Sequence, residues 1–204
     1  MEVRNKILGK ATDLFMRYGI RSVTMDEIAL QSGVSKKTVY QFYADKNELV
    51  DAVLISILDN NQENCCQYKV TAGNAIEEVF FATAMVKQMF ENMNPSLLYD
   101  LEKHHAESYK KFNQFKYKFL REILVDNLRR GIREELYRSD INIEVITMIR
   151  LETMMLPFSY EISKSNYSFV VVHQELTELF LFGIASPKGY ALIEQYKHER
   201  KEKN

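Results

Sequence analysis

Chain breakers are scarce in this protein: 7 glycines and 3 prolines among 204 residues, well under the roughly one residue in eight of average usage. So few interruptions predict helices. Cysteine is scarcer still, and its two copies, Cys65 and Cys66, are neighbours. Adjacent Cα atoms stand about 3.8 Å apart, below the ~4.4 Å minimum usual for a disulfide, so no structural bridge is expected and a reducing, cytoplasmic compartment fits. Long apolar runs are missing too. Stretches such as 169–172 and 179–182 fall far short of the ~18 residues of a membrane span. The start, Met1-Glu2-Val3-Arg4-Asn5-Lys6, leads into an amphipathic pattern and not into a secretory signal.

Catalytic patterns are absent as well. Gly9, Gly19, Gly33, Gly73, Gly131, Gly183 and Gly189 lie too far apart for a dinucleotide or P-loop motif. No G-x-S-x-G elbow occurs, and the 4 histidines form no H-E-x-x-H pair. Asp100 and His104 stand at i, i+4 beside His105, a spacing a metal would accept, but zinc sites normally recruit three or four ligands. That turn reads as an exposed polar one, and neither cofactor, metal nor enzymatic activity is expected.

What is present is a core and a charge bias. Hydrophobic residues make up 46% of the chain and the net charge is −1, a composition that folds. The first fifty residues carry eight basic and six acidic side chains, the remainder 19 basic and 22 acidic. A nucleic-acid partner is therefore permitted at the N-terminal end.

In that segment Val3, Ile7, Ala11, Leu14, Phe15 and Tyr18 share one helical face, and Gly19 supplies the C-terminal cap. Thr24-Met25-Asp26-Glu27 reads as a capping box opening a short helix that buries Met25, Ile28 and Ala29 and ends near Gln31, where Ser32-Gly33 makes a tight turn. Ser35 then caps a third short helix, Lys36 to Tyr43, with Val34, Val39 and one of Phe42 and Tyr43 facing inward. Its outward residues are Lys36, Lys37, Thr38, Tyr40 and Gln41. Two short helices joined by a glycine turn, the second presenting donors and cations, fit the major groove of B-DNA. Lysines reach phosphate or guanine O6/N7, and Gln41 suits adenine. Lys46, after the cap Asp45, is placed to meet phosphate at the start of the next helix.

The runs Thr24-Met25-Asp26-Glu27-Ile28-Ala29, Ser32-Gly33-Val34-Ser35-Lys36-Lys37-Thr38-Val39-Tyr40-Gln41-Phe42-Tyr43 and Asp45-Lys46-Asn47-Glu48-Leu49 closely resemble the DNA-binding domain of the tetracycline-repressor (TetR) family of bacterial transcription regulators. Leu14-Phe15 and Tyr18-Gly19-Ile20 fit as well. The resemblance covers about the first sixty residues. It implies that Thr24 and Lys46 contact phosphate and that Ser35, Lys36, Lys37, Thr38, Tyr40 and Gln41 form the recognition surface. It departs from the family at Lys37, where glycine is frequent, and at Phe42-Tyr43, where Tyr or His followed by Phe is common; a tyrosine hydroxyl at 43 argues against full burial.

Beyond it, a fourth helix is predicted from Lys46 to about Asn64, linking head to body. After the break at Thr71-Ala72-Gly73, one helix carries Ile76, Val79, Phe80, Thr83, Val86 and Phe90 and ends before Asn94-Pro95. A short helix holds Leu97, Leu98 and Leu101, and a long one runs from Tyr109 through Phe112, Phe115, Phe119 and Ile123 to Leu128. Two later segments are apolar on more than one side. Asn142 caps the first, with Ile143, Ile146, Ile149 and Thr153 on one stripe and Met148, Leu151 and Met155 on another. The second, Ser168 to Ala185, carries Phe169, Val172, Leu176, Leu179, Phe180 and Gly183 together with Val171, Phe182 and Ile184. A helix apolar all round is buried or interfacial. The resemblance implies that these two helices pair as a dimeric four-helix bundle, with Ile146, Met148, Ile149, Leu151, Met155, Val172, Leu176, Leu179, Phe180 and Gly183 at the interface. The body's aromatic and Met-rich side chains offer Phe80, Met85, Met89, Phe112, Phe115, Phe119, Met154 and Phe158 as candidates to enclose an apolar ligand.

The expectation is thus an all-α protein: residues 1–62 form a three-helix DNA-binding domain with its helix-turn-helix at about 24–43, and residues 63–204 a helical ligand-binding and dimerisation domain. The function that follows is a ligand-responsive, sequence-specific transcription regulator, a homodimeric repressor reading an inverted-repeat operator. The rivals are an architectural or activating DNA binder without a small-molecule inducer, and a small-molecule-binding dimer whose head has lost DNA affinity.

Overall fold

The computed structural model describes residues 2–91, 93–94, 96–159, 162 and 164–201. Among them eleven α-helices carry the chain: α1 (Glu2–Tyr18), α2 (Met25–Ser32), α3 (Lys36–Phe42), α4 (Lys46–Thr71), α5 (Ala75–Phe90), α6 (Leu97–His104), α7 (Ala106–Gln114), α8 (Arg121–Arg133), α9 (Ile143–Thr153), α10 (Phe169–Ile184) and α11 (Pro187–Lys201). A π-helical segment, Phe115–Leu120, and a 3-10 turn, Leu156–Phe158, complete the helical elements described. Among the described residues the extended pairing is one isolated antiparallel bridge, Tyr137 to Ala185. Among the described residues no helix is long and apolar enough to cross a membrane.

The chain divides into two compact units, Met1–Asn61 with Glu91–Phe115, and Gln62–Phe90 with Lys116–Asn204. The first differs from a simple cut at residue 62. Leu97, Leu98, Leu101, Tyr109 and Phe112 pack against the core of Ile7, Phe15, Val23, Ile28, Val39, Tyr43 and Leu49, because α6 and α7 have an apolar face that this core covers. Two polar contacts fix the same arrangement: the Asn94 amide donates to the Met16 carbonyl at 2.7 Å, and the Arg21 amide to the Asp100 carboxylate at 3.2 Å. Asp100 is buried, while Glu102, Lys103 and His104 are exposed and His105 half-buried, so the 100–105 turn is the exposed polar one its sequence suggests except at Asp100 and Leu101. Among the described residues no group of three metal-ligating side chains forms. Pro95, read above as a helix stop, lies outside the described residues.

The second unit is organised on α5, which packs against α8, α10 and α11 through Ala75, Ile76, Phe80, Leu128, Leu181, Ile184 and Ile193. Helix α4 runs to Thr71, seven residues past the predicted end at Asn64. Its last turn is closed from outside, since Arg130 donates to the carbonyls of Lys69 at 3.3 Å and Ala72 at 2.8 Å, acceptors a helix end otherwise leaves open. The same guanidinium reaches Glu78 at 3.2 Å and Glu134 at 2.7 Å.

The single long helix predicted through 109–128 is interrupted by the π-helical turn, where buried Lys116 meets Glu152 of α9 at 3.1 Å and the Tyr117 hydroxyl donates to the same carboxylate at 2.8 Å. Helix α11 was not anticipated. Its signal was in the chain as Ser186-Pro187: the Ser186 hydroxyl accepts from the Gly189 amide at 3.0 Å, and proline is preset for the first helical position.

Candidate nucleic-acid interface and interior cavity

Helices α2 and α3 are joined by a turn whose chemistry is local. The Thr24 hydroxyl caps α2 by accepting from the Glu27 amide at 3.2 Å. Gly33 ends it at φ 63°, a left-handed backbone that side chains with a Cβ avoid, and the Val34 amide closes the turn on the Ala29 carbonyl at 3.0 Å. Ser35 caps α3 by accepting from the Thr38 amide at 3.0 Å, and the two hydroxyls lie 2.8 Å apart. Val39, fully buried, and Tyr43, 1% exposed, anchor α3 to the core. Tyr43 is therefore the inward residue and Phe42 the exposed one, contrary to the argument from the hydroxyl. Aromatic area outweighs one phenol: the ring carries Arg4 5.6 Å from its centroid, and the buried hydroxyl has no hydrogen-bond partner.

The outward face of α3 holds Lys36, Lys37, Tyr40 and Gln41, all exposed, with Thr38 half-buried. Lys36 is not free, because its Nζ lies 2.7 Å from Asp26 of α2, and that bond raises its pKa above the ordinary lysine value. Thr24 accepts an amide bond and retains a hydroxyl proton to donate outward, while the Ser35 and Thr38 hydroxyls share one hydrogen bond between them. A second cap stands at the start of α4. Asp45 accepts from the Glu48 amide at 2.9 Å while Glu48 accepts from the Ala44 amide at 2.6 Å, a reciprocal capping pair. Lys46 at this end is half-buried, with its amine 6.0 Å from the centre of the Phe15 ring. Burial lowers its pKa, with Asp100 acting in the opposite sense.

Residues 7–53 match the model of the bacterial regulatory proteins of the tetR family. Over that segment the chain carries the DNA-binding domain of that family. It is a helix-turn-helix, DNA-binding regulator of transcription and not an enzyme. It is 23% identical over 191 residues to the HTH-type transcriptional repressor KstR2 of Rhodococcus jostii, a match spanning 90% of this chain and 92% of that one. The fold is also that of the ketosteroid transcriptional regulator KstR2 of Mycobacterium tuberculosis, with a TM-score of 0.64 at 20% identity over 90% and 95% of the two chains. A TetR-family regulator from Agrobacterium tumefaciens superposes with a TM-score of 0.73 at 15% identity, covering 91% and 98%.

The regulator's second unit holds an interior cavity of about 80 Å³, lined on α4 by Cys65 and Tyr68, on α5 by Glu78, Val79, Ala82, Thr83 and Val86, and further round by Ile123, Leu124, Asn127, Arg150, Met154, His173 and Phe180. Of the eight ligand candidates read from sequence, Met154 lines it. The others are engaged elsewhere or stand off its wall. Phe80 meets Tyr196 edge-on at 5.6 Å, Phe158 joins Phe90 and Phe169 in an aromatic cluster, and Phe112 stacks on Tyr109 in the first unit. Met85, Met89, Phe115 and Phe119 are half-buried away from it. Arg150 and His173, which the apolar stripes concealed, are the polar residues sequence reasoning missed. The signal was a lone arginine inside Met148-Ile149-Arg150-Leu151.

The candidate interface residues separate in the same way. Leu151 is buried within its own chain, while Phe180 is half-buried and lines the cavity under the Arg150 guanidinium, 4.8 Å from its ring centre. Met148 at 59%, Ile149 at 49% and Leu179 at 72% are exposed, as is Gly183, while Ile146, Met155, Val172 and Leu176 are half-buried. The inward stripe of α10 is His173, Thr177, Leu181 and Ile184.

Proposed function

We propose that this regulator is a repressor that binds an inverted-repeat operator as a homodimer and releases it when a small molecule enters the cavity of the second unit. The observation that carries the dimer is the apolar surface left uncovered on α9 and α10: Met148, Ile149, Val171 and Leu179 are large side chains facing outward on two helices that otherwise read as core. A second copy of the same face would cover them, as a two-fold interface requires. Two-fold symmetry would set the recognition helices about 34–36 Å apart or a multiple of that, hence an inverted repeat. Repression is supported by the likeness to KstR2, named a repressor, along 90% of the chain.

Residues 1–62 are assigned the reading of DNA, through Thr24, Ser35, Lys36, Lys37, Thr38, Tyr40, Gln41 and Lys46, and residues 63–204 the effector and the dimer. Effector control is supported by the cavity and by α4, whose 26 residues extend from the capped end beside α3 to Cys65 and Tyr68 in the cavity wall. The test is fluorescence anisotropy of the purified protein on the duplex upstream of its own gene, against scrambled DNA, at two salt concentrations. Specific, steeply salt-dependent binding by a dimer, lost on addition of an effector, is expected. Specific binding that no metabolite in a broad panel loosens would remove the effector half.

A further inference from the structure

The cavity has one feature that an ordinary apolar core avoids. Arg150 is 5% exposed, and among the described residues no carboxylate lies within ion-pair distance of it. Its guanidinium donates to the Leu176 carbonyl at 3.2 Å and the Thr177 hydroxyl at 3.0 Å, which uses two of its five N–H donors. Phe180 covers one face. Glu78, the single carboxylate among the lining residues, is already held by Arg130 at 3.2 Å. His173, the other basic group in the wall, stacks on Phe169 at 5.8 Å and is neutral at pH 7, since burial and the neighbouring Arg150 bring its pKa down to about 4. The remaining wall is aliphatic and aromatic apart from Thr83, Asn127, the Cys65 thiol and the Tyr68 phenol, none of which carries a charge at pH 7. A buried cation without a partner is costly, and native chains ordinarily pair it.

We infer that Arg150 is the anion-binding residue of the effector site, and that the effector is an apolar molecule ending in a carboxylate. The inference rests on the reading of the protein as an effector-controlled repressor and adds the chemical class of the effector. A carboxylate matches the planar fork of guanidinium, and a single negative charge is what one unpaired cation balances. The present volume of about 80 Å³ is roughly half the 150 Å³ that admits benzene in an engineered cavity. It seats a carboxylate with a few carbons, and a longer tail requires the unbranched, adaptable side chain of Met154 in the wall to move.

The test is isothermal titration calorimetry at pH 7 with butanoate, hexanoate and octanoate, each against the alcohol and the amine of equal length. The carboxylate is expected to bind at least about ten-fold more tightly than its alcohol, the effect of one charge-assisted hydrogen bond, and the amine least tightly. Arg150→Met should erase that preference and Arg150→Lys should restore part of it. Equal binding of carboxylate and alcohol, no binding of any carboxylate in the series, or a preference that survives Arg150→Met would overturn the inference. The comparison of ligands on the unaltered protein keeps the test sound if a variant fails to fold. Operator anisotropy with the same probes separates the two readings: carboxylate-selective binding that leaves DNA bound supports the anion site and removes effector control. Release by the alcohol alone retains effector control and overturns the anion site.

Discussion

Asp26 holds Lys36 at 2.7 Å across α2 and α3, so one of the two adjacent lysines that would face DNA is partly neutralised before any phosphate arrives. Spacing along α3 gave Lys36 its outward position correctly and could not reveal the partner, because the pairing crosses a turn. Asp26→Asn should therefore tighten binding to every duplex and steepen the salt dependence by about one counterion per protomer. Anisotropy titrations at several salt concentrations check this, and an unchanged slope would mean that Lys36 stays off the phosphates. Gln41→Ala should instead relax preference at one symmetric pair of base positions, at about 1–3 kcal/mol per contact, read from binding to a set of operator variants. His173 gives a pH prediction whose sign is fixed by burial. Its imidazole takes a proton near 6.5 in the unfolded chain and near about 4 in the folded one, so both are neutral above pH 6.5 and the group has no effect there. As pH falls toward 4 the unfolded state binds a proton that the folded state refuses, and stability drops by up to roughly 3 kcal/mol. Denaturant unfolding at pH 7 and pH 4.5 should show a smaller loss in His173→Gln than in the unaltered protein; equal losses would remove His173 as the source.

Local rules made the elements of the head legible. A hydroxyl before Lys36, glycine after Ser32 and aspartate before Lys46 are each a backbone requirement written in one residue, and each appears where read. Ser35→Ala removes the acceptor of the Thr38 amide and should cost about 1 kcal/mol, seen as a lower thermal midpoint with the operator preference retained by the molecules that remain folded. The body was less legible because its inward faces are not its most apolar ones. On α10 the buried stripe begins with His173 and Thr177, which a hydrophobic period assigns to solvent, while Leu179 and Val171 point out. The reason lies on another helix, since Arg150 of α9 needs the Leu176 carbonyl and the Thr177 hydroxyl as acceptors, and no periodicity within one segment encodes that demand. Gly131 is a similar case. A Cβ there would stand 2.0 Å from the Tyr137 ring, whose hydroxyl is tied to Asn127 at 3.1 Å, so the ring has nowhere to retreat. Gly131→Ala should destabilise by at least about 1–3 kcal/mol, the usual effect of overpacking, and equilibrium unfolding measures it.

For the whole molecule the question that decides function is what covers α9 and α10. Length and the scarcity of glycine and proline are enough to anticipate an all-helical protein, but the two doubly apolar segments do not say which of their residues face out. Leu151 faces inward, Phe180 is half-buried against the cavity, and Met148, Ile149 and Leu179 face outward. These exposed positions make a clean test because charge placed on them leaves the core untouched. In Ile149→Glu with Leu179→Glu, two like charges per copy would have to be brought together at a two-fold interface, each desolvated without a partner, which association does not tolerate. Light scattering should then give the mass of one chain in place of two, with an unaltered helical circular dichroism spectrum. Operator affinity should collapse toward that of scrambled DNA, since a single head retains its phosphate contacts and loses simultaneous engagement of two half-sites. A double variant that still scatters as a dimer and still prefers its operator would place the interface on some other face and return α9 and α10 to the role of an unusually exposed core.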